Sequence, residues 1–404
     1  VLKSMPANVA ALASANLLLA QGETVNKVKK QMKIQSATNV KWGIYTSGTS
    51  ATQSEGLSIS GSDITLRDTY STEIVGASVD GRHTKLYRLS VIPDLFVGEG
   101  TPEAPYQIRN VQDFINLDRA VSHYGQPHEG DIFVMTDDID FGLTDDFQGV
   151  GLTGDNGFGG TFDGQGHTIH RLKIHSAKFD ANGDALKDGL RYGGLFSKVR
   201  AEGTIRNVSI AADCDFIFHE YGGSIAGSCV GRIENCRNYA DIRGHRQYAG
   251  GIAGMTYTTT EIADCYNAGR VGIGYSGAAG IVSYNRGKIS RCQNAGEIYG
   301  AKSSGQELNQ STIGGIAALH SGTMTDCVNL GNVHGSSTVG GLIGQVSTFD
   351  NAPGSVASSF NAGVVRMIKE ESSRGGVIGV SAGRGQISSS YYDAAVNTFG
   401  AANN

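Results

Sequence analysis

Ile262-Ala263-Asp264-Cys265-Tyr266-Asn267 has near copies at Ile233-Glu234-Asn235-Cys236-Arg237-Asn238, Ile289-Ser290-Arg291-Cys292-Gln293-Asn294 and Met324-Thr325-Asp326-Cys327-Val328-Asn329. Weaker copies start at Ile205, Val356 and Ile387, so successive starts lie 28, 29, 27, 35, 32 and 31 residues apart. Repetition at that period marks a solenoid. Apolar and polar residues mix over short spans, which is closer to strand than to helix periodicity.

Three columns run down the copies. The first holds Ile205, Ile233, Ile262, Ile289, Met324, Val356 and Ile387. Three residues on stand Val208, Cys236, Cys265, Cys292, Cys327, Ser359 and Ser390. Six residues further come Cys214, Ile242, Val271, Ile298, Val333, Val365 and Val396. Every column is apolar or small. A Gly-Gly or Ala-Gly pair followed by aliphatic residues precedes most copies, as at Gly193-Gly194-Leu195-Phe196, Gly250-Gly251-Ile252, Ala279-Gly280-Ile281, Gly314-Gly315-Ile316, Gly340-Gly341-Leu342 and Gly375-Gly376-Val377, with Gly222-Gly223-Ser224-Ile225 as a looser copy. One repeat reads as two or three short strands joined by glycine corners. No repeat buries its apolar face alone, whereas stacking buries it continuously. The fold class is all-β, a parallel β-helix. Asn238, Asn267, Asn294, Asn329 and Asn361 recur two residues after the Cys/Ser column, where each amide can bond its counterpart or a corner backbone in the next coil.

The 404 residues, with 58 Gly, 6 Pro and 1 Trp, fit one elongated domain rich in tight corners plus a smaller one. A net charge of -5 gives no reason to expect nucleic acid, which favours a basic face. No apolar run approaches the roughly 18 residues of a membrane span. A first residue of Val1 rather than Met reads as a leader removed by processing or by design of the expressed chain. All six cysteines lie between Cys214 and Cys327 without C-x-x-C spacing, which argues against zinc. Side chains stacked in one direction make poor disulfide geometry, so the thiols are expected to be reduced and buried, used as small apolar residues. They say little about the compartment.

Residues 1–96 read as a separate module. Helical stretches are expected at Asn8 to Gln21 and at Val25 to Met32, the latter carrying Lys27, Lys29 and Lys30. Strand text follows at residues 40–45, 57–59, 64–66, 72–75 and 86–91, with Asp80-Gly81 as a hairpin turn signal. This module resembles the atrophied immunoglobulin-like domains of bacterial surface proteins, a small β-sandwich with Trp42 in its core. Gly and Pro cluster from Gly98 to Pro105, which marks the boundary. A helix from Val111 to Val121, with Asn110 as N-cap, would cover the open end of a solenoid spanning 97–404.

The order Gly100-Thr101-Pro102, Pro105-Tyr106-Gln107-Ile108, Asp138-Ile139-Asp140 and Gly160-Thr161-Phe162-Asp163-Gly164-Gln165-Gly166-His167-Thr168-Ile169, followed by the Gly-Gly-Leu/Ile repeats, resembles GLUG-motif proteins over residues 98–396. That family comprises bacterial surface proteins, including adhesins and non-catalytic regions of immunoglobulin-A peptidases. The resemblance implies an extracellular β-helix with a binding or spacer role, and it supplies no catalytic residues.

The residues themselves offer little catalysis. His219-Glu220 is not followed by a second His, so the metallopeptidase motif is missing. Gly379-Val380-Ser381-Ala382-Gly383 and Gly272-Ile273-Gly274-Tyr275-Ser276-Gly277 match a nucleophile elbow and a dinucleotide loop by letters, but no helix pattern follows either. Asp137, Asp138, Asp140, Asp145 and Asp146 form an acidic cluster. It reads as strand-end carboxylates, against a glycosidase pair or a calcium site. Asp180-Ala181-Asn182-Gly183-Asp184 has calcium-loop oxygen spacing but has Ala185 at the sixth position and Arg191 at the bidentate one.

The candidate ligand-binding residues are Tyr192, Tyr221, Tyr248 and Tyr275, which precede repeat glycines and stack at one corner of four successive coils, against the reading that they simply pack that corner. Polar insertions at 301–310 and about 345–355 would border a binding face. The expectation is a non-catalytic, secreted or surface-displayed bacterial protein that adheres to a host or bacterial glycan or protein, with no cofactor and no metal. The alternative is a β-helical polysaccharide lyase or hydrolase. A third reading is a spacer that binds nothing.

Overall fold

The computed structural model describes residues 41–46, 49–51, 57–60, 63–66, 71–78, 84–91 and 402–403 as backbone strands, and residues 95–151, 157–176, 190–300, 311–346, 354–368, 373–381 and 385–398 in full. Two compact units divide the chain, 1–95 and 96–404. In the first, Thr49–Ala51, Lys41–Thr46, Ser71–Ser78 and Thr84–Val91 form an antiparallel sheet in that order, and Leu57–Ser60 pairs with Asp63–Leu66. The expected helices before residue 33 and the Asp80-Gly81 turn lie outside the described residues.

The second unit is a parallel β-solenoid of about 8 turns. Each full coil has five short strands rather than two or three. In one coil they are Glu261–Ala263, Tyr266–Asn267, Val271–Ile273, Gly277–Ala279 and Val282–Asn285. Strands as short as Tyr266–Asn267 leave no alternating pattern to read, which is why the extra corners were invisible in the text. Stacking the coils builds five parallel sheets of 10, 9, 7, 7 and 8 strands, named first to fifth in chain order.

Register follows the first sequence column residue for residue: Ile205 pairs with Ile233, then Ile262, Ile289, Met324, Val356 and Ile387. Phe162, Phe133 and Tyr106 extend that interior column upward. The third column needs correction at both ends. Phe216, not Cys214, pairs with Ile242. The corner from Ile210 to Phe216 is two residues longer than that from Asn238 to Ile242, and the extra residues turn at Ala212-Asp213. At the other end Val396 is 44% exposed. The Asn397 side-chain oxygen, not a strand, accepts the Val365 N–H at 2.9 Å.

The corner between first and second sheets explains the I-x-[ND]-C text. Asn235, Asp264, Arg291 and Asp326 sit there with φ of 47°, 56°, 51° and 56°. Asn and Asp tolerate that left-handed conformation best among residues with a Cβ. The following thiol turns inward and donates to the carbonyl two residues back, Cys265 to Ala263 at 3.2 Å and Cys292 to Ser290 at 3.3 Å. Ser359 donates to Ala357 in the same way at 2.8 Å, which is why Ser can replace Cys in this column.

One residue pair further, the asparagines form a buried ladder. Asn238, Asn267, Asn294 and Asn329 each donate from Nδ2 to Oδ1 of the next at 2.8 Å. The second Nδ2 hydrogen goes to a carbonyl two residues on, as from Asn267 to Gly269 at 2.8 Å. Gly251, Gly280, Gly315 and Gly341, the second glycines of their signatures, face this ladder. A Cβ on Gly315 would lie 2.1 Å from Gly341 O and 2.4 Å from Asn329 Cγ. Two sequence signatures 14 to 20 residues apart are thus one packing unit.

The N-terminal end is covered by α1 (Val111–Asp118) and a π-helical turn (Arg119–His123). Asn110 caps α1, its side chain accepting from the Asp113 N–H at 3.1 Å. Phe114 packs on Phe162, Phe141 and Phe147 at 5.5, 5.5 and 5.8 Å between ring centres. The helix therefore seals the interior column, as the sequence led one to expect.

Candidate functional site: the tyrosine row between the fourth and fifth sheets

Residues on the outer face of the fourth sheet run Tyr192, Tyr221, Tyr248, Gly277, Thr312 down successive coils. Outer-face residues of the fifth sheet run Lys198, Ser228, Met255, Tyr284, Leu319. Side chains from the two outer faces touch: Lys198 Nζ lies 5.3 Å from the Tyr192 ring centre, and Tyr284 lies 5.3 Å from Tyr248. The angle between the sheets is therefore concave outward, and the tyrosines lie in it.

Tyr192 stacks on Tyr221 at 5.4 Å and 29°, and Tyr221 on Tyr248 at 5.6 Å and 27°. Tyr275 does not join them. The register sets Gly277 opposite Tyr248, and Tyr275 stands two residues earlier with 45% of its surface exposed. Tyr284, from the fifth sheet, fills the place left by Gly277. Its position could have been read from the text, because it follows Gly280 by four residues as Met255 follows Gly251 and Lys198 follows Gly194.

Stacking has a chemical consequence. Both faces of Tyr221 are covered by neighbouring rings, Tyr248 lies between Tyr221 and Tyr284, and one face of Tyr192 is covered. The row presents hydroxyls and ring edges rather than a platform of open aromatic faces. Burial raises the pKa of Tyr192 and Tyr221, and raises that of Tyr248 to about 12. An ordinary phenol is already protonated at neutral pH, so the shift only extends that state to higher pH. At the N-terminal end, the Arg191 guanidinium lies 5.3 Å from the Tyr192 ring centre and 5.8 Å from that of Tyr221. Glu220 approaches Arg191 at 3.5 Å. Sequence alone does not bring Arg191, Lys198 and Glu220 together, since nothing in a one-dimensional pattern places them around one ring.

The acidic cluster is structural in its bonding. Asp138 accepts the Thr168 N–H at 2.8 Å, which leads the causes lowering its pKa. Asp140 is held by the Arg171 fork, with Nε at 2.7 Å, and its pKa is lowered chiefly by that bond. A glycosidase acid needs a raised pKa, so neither residue is set up as a proton donor. Among the described residues no group of three or more His, Cys, Asp or Glu is placed to hold a metal ion. The calcium-like loop Asp180–Asp184 and the insertion 301–310 lie outside the described residues, as do 347–353 of the second insertion. Gly272 and Gly274 belong to or follow the third-sheet strand Val271–Ile273 and lead to another strand, not to a nucleotide-binding helix. No helix among the described residues is long and apolar enough to cross a membrane.

No family model matches the chain. It is 25% identical over 159 residues to Halomucin of Haloquadratum walsbyi, a match that spans 37% of this chain and 2% of that protein. Two solved structures are similar in shape. One, a "putative immunoglobulin A1 protease" from Bacteroides ovatus, has a TM-score of 0.48 and 22% identity, covering 74% of this chain and 78% of that one. The other, an "IgA1 Protease", has a TM-score of 0.48 and 11% identity, covering 90% of this chain and 29% of that one. Likeness at this level carries no argument about activity.

Proposed function

We propose that this is a secreted or surface-displayed bacterial protein of the GLUG-motif kind, carrying an immunoglobulin-like module at 1–96, which adheres to a glycan or protein without catalysing a reaction. The ligand lies along the tyrosine row. The observation that carries this reading is the row itself: three phenols, stacked at one-coil spacing, occupy an outward concave angle instead of the interior. Interior positions of the same coils are already filled by the isoleucine column and the asparagine ladder, so the fold does not need the phenols inside. Extracellular placement rests on the GLUG resemblance, and the 159-residue likeness to a protein named Halomucin agrees with it.

An array of glycans and extracellular-matrix proteins probed with the intact chain tests the reading. Binding to at least one class is expected, lost in a Tyr221→Ala/Tyr248→Ala variant whose melting temperature stays near that of the parent. Binding that survives both substitutions would place the ligand elsewhere, and release of cleaved or unsaturated sugar products would replace adhesion by catalysis.

A further inference from the structure

We infer that the outer face of the second sheet is a self-association surface, on which a second copy of this chain packs face to face and antiparallel, about a twofold axis along the strand Gln293–Asn294. This face belongs to a different sheet from the tyrosine row and does not depend on its ligand.

The asparagine ladder builds the face. Asn238, Asn267, Asn294, Asn329 and Asn361 are fully buried, so the residues on either side of each point outward. Those before them stack as Arg237, Tyr266, Gln293, Val328, Phe360 and, one coil on, Tyr391. Those after them stack as Tyr239, Ala268, Ala295, Leu330 and Ala362, each with its N–H bonded to a carbonyl of the coil before. Tyr239, Leu330, Phe360 and Tyr391 are 39–65% exposed. Apart from Arg237, no side chain in the two columns is charged. A contiguous apolar surface without charge marks a place of contact.

The order of large and small residues is self-complementary. An axis through the Gln293 coil reverses the run of coils and keeps each column opposite itself. Tyr239 of one copy then falls on Ala362 of the other, Leu330 falls on Ala268, and Ala295 meets Ala295. In the companion column Arg237 falls on Phe360, a cation over a ring. Tyr266 falls on Val328, and the two Gln293 amides meet, each able to donate and accept. With Ser209 opposite Tyr391, seven coils map onto themselves. At about 4.8 Å per coil and roughly 15 Å of width, the two copies together cover on the order of 1,000 Å², the lower end for a specific contact. The dimer is therefore reversible rather than obligate.

Other occupants fit less well. A flat sugar lattice asks for coplanar rings, whereas Tyr239 and Tyr266 meet at 61°, and Val328 and Leu330 interrupt the aromatic run. An anionic lipid surface favours a basic rim. The corner beside the first column carries Asp264 and Asp326, and its Arg291 is already paired with Asp264 at 2.7 Å.

Sedimentation equilibrium of the full chain from about 1 to 100 μM should show a monomer–dimer equilibrium, as expected for so small an area. Leu330→Lys sets a charge against Ala268 of the other copy, and Ala268→Arg fills the space that Leu330 needs. Each should weaken the dimer roughly tenfold or more, a charge buried without a partner being worth at least that. Both positions face solvent in the single copy, so its melting temperature should hold. Sheets packed face to face lie about 10 Å apart, so a short bis-maleimide should link Ala295→Cys to its mate. Thr323→Cys, exposed on the first sheet, should stay unlinked. A monomer at every concentration, a dimer that either charged variant leaves intact, or linkage through Thr323→Cys rather than Ala295→Cys overturns the inference. Leu330-dependent pelleting of a monomeric chain with phosphatidylcholine vesicles or microcrystalline cellulose would assign the face to lipid or to a sugar surface, and overturns it too.

Discussion

Asn267 Nδ2 lies 2.8 Å from Asn294 Oδ1, and the same amide also donates to the Gly269 carbonyl, so neither hydrogen is left unpaired in a fully buried position. Asn294→Leu keeps the branching and the heavy-atom count, in a larger side chain, but strips a partner from Asn267 and another from Asn329. Leaving buried polar groups unpaired costs about 1–3 kcal/mol each. Urea denaturation followed by circular dichroism should show a loss of roughly 3 kcal/mol, and an unchanged midpoint would mean the ladder contributes nothing.

Glycines beside that ladder should tolerate a methyl group unequally. Gly315→Ala drives Cβ against a backbone carbonyl and the Asn329 side chain, which neighbouring coils hold in place. Gly376→Ala meets instead the ring of Tyr392, at the end of the repeat series, which has more room to yield. The first is expected to cost about 2 kcal/mol or more and the second clearly less, in the range for overpacking. Equal melting temperatures would contradict the contact.

His320 provides a pH signature. Its Nε2 faces the Ser355 carbonyl at 3.1 Å and must carry the hydrogen, so Nδ1 accepts from Asn285 Nδ2 at 3.0 Å. Burial lowers its pKa from 6.5 to about 4. Between those values the unfolded chain takes up the proton more readily than the folded one. Stability is therefore complete above pH 6.5 and falls as pH drops toward 4, by roughly 3 kcal/mol. Denaturation midpoints from pH 7.5 to 4.5 measure the slope. His320→Gln should flatten it, and an unaltered slope would assign it to other groups.

The thiols offer a check that needs no mutation. Cys265 and Cys292 are 1% exposed, and burial pushes their pKa well above the ordinary thiol range. A thiolate-selective reagent should leave both untouched in native protein and label all six cysteines after unfolding. Fast native labelling of either would mean the column does not face inward.

Legibility in the sequence followed burial and stacking. The Ile233-to-Val356 column, the thiols and the asparagines repeat because parallel in-register stacking puts like beside like, and the text alone fixed their register. Asn110 could be named as a cap because the side chain needed there is so restricted. Spacing to a glycine points to Tyr275, but the strand register puts Gly277 opposite Tyr248. Cys214 was misplaced because two extra corner residues shift the count. Arg191 precedes the fourth-sheet strand and Lys198 lies in the fifth-sheet one, so their meeting around Tyr192 depends on the angle between two sheets, which no local pattern encodes.

In-register stacking also makes length a free variable. Removing residues 262–288 would bring Ile233 beside Ile289, Cys236 beside Cys292 and Asn238 beside Asn294, each pair of the kind already found between neighbours. The interior would have nothing to relearn. A gene so built can gain or lose one period by unequal recombination, shortening or extending the rod by about 4.8 Å per coil. The distance between the capped end and the far end then becomes a matter of copy number rather than of new packing.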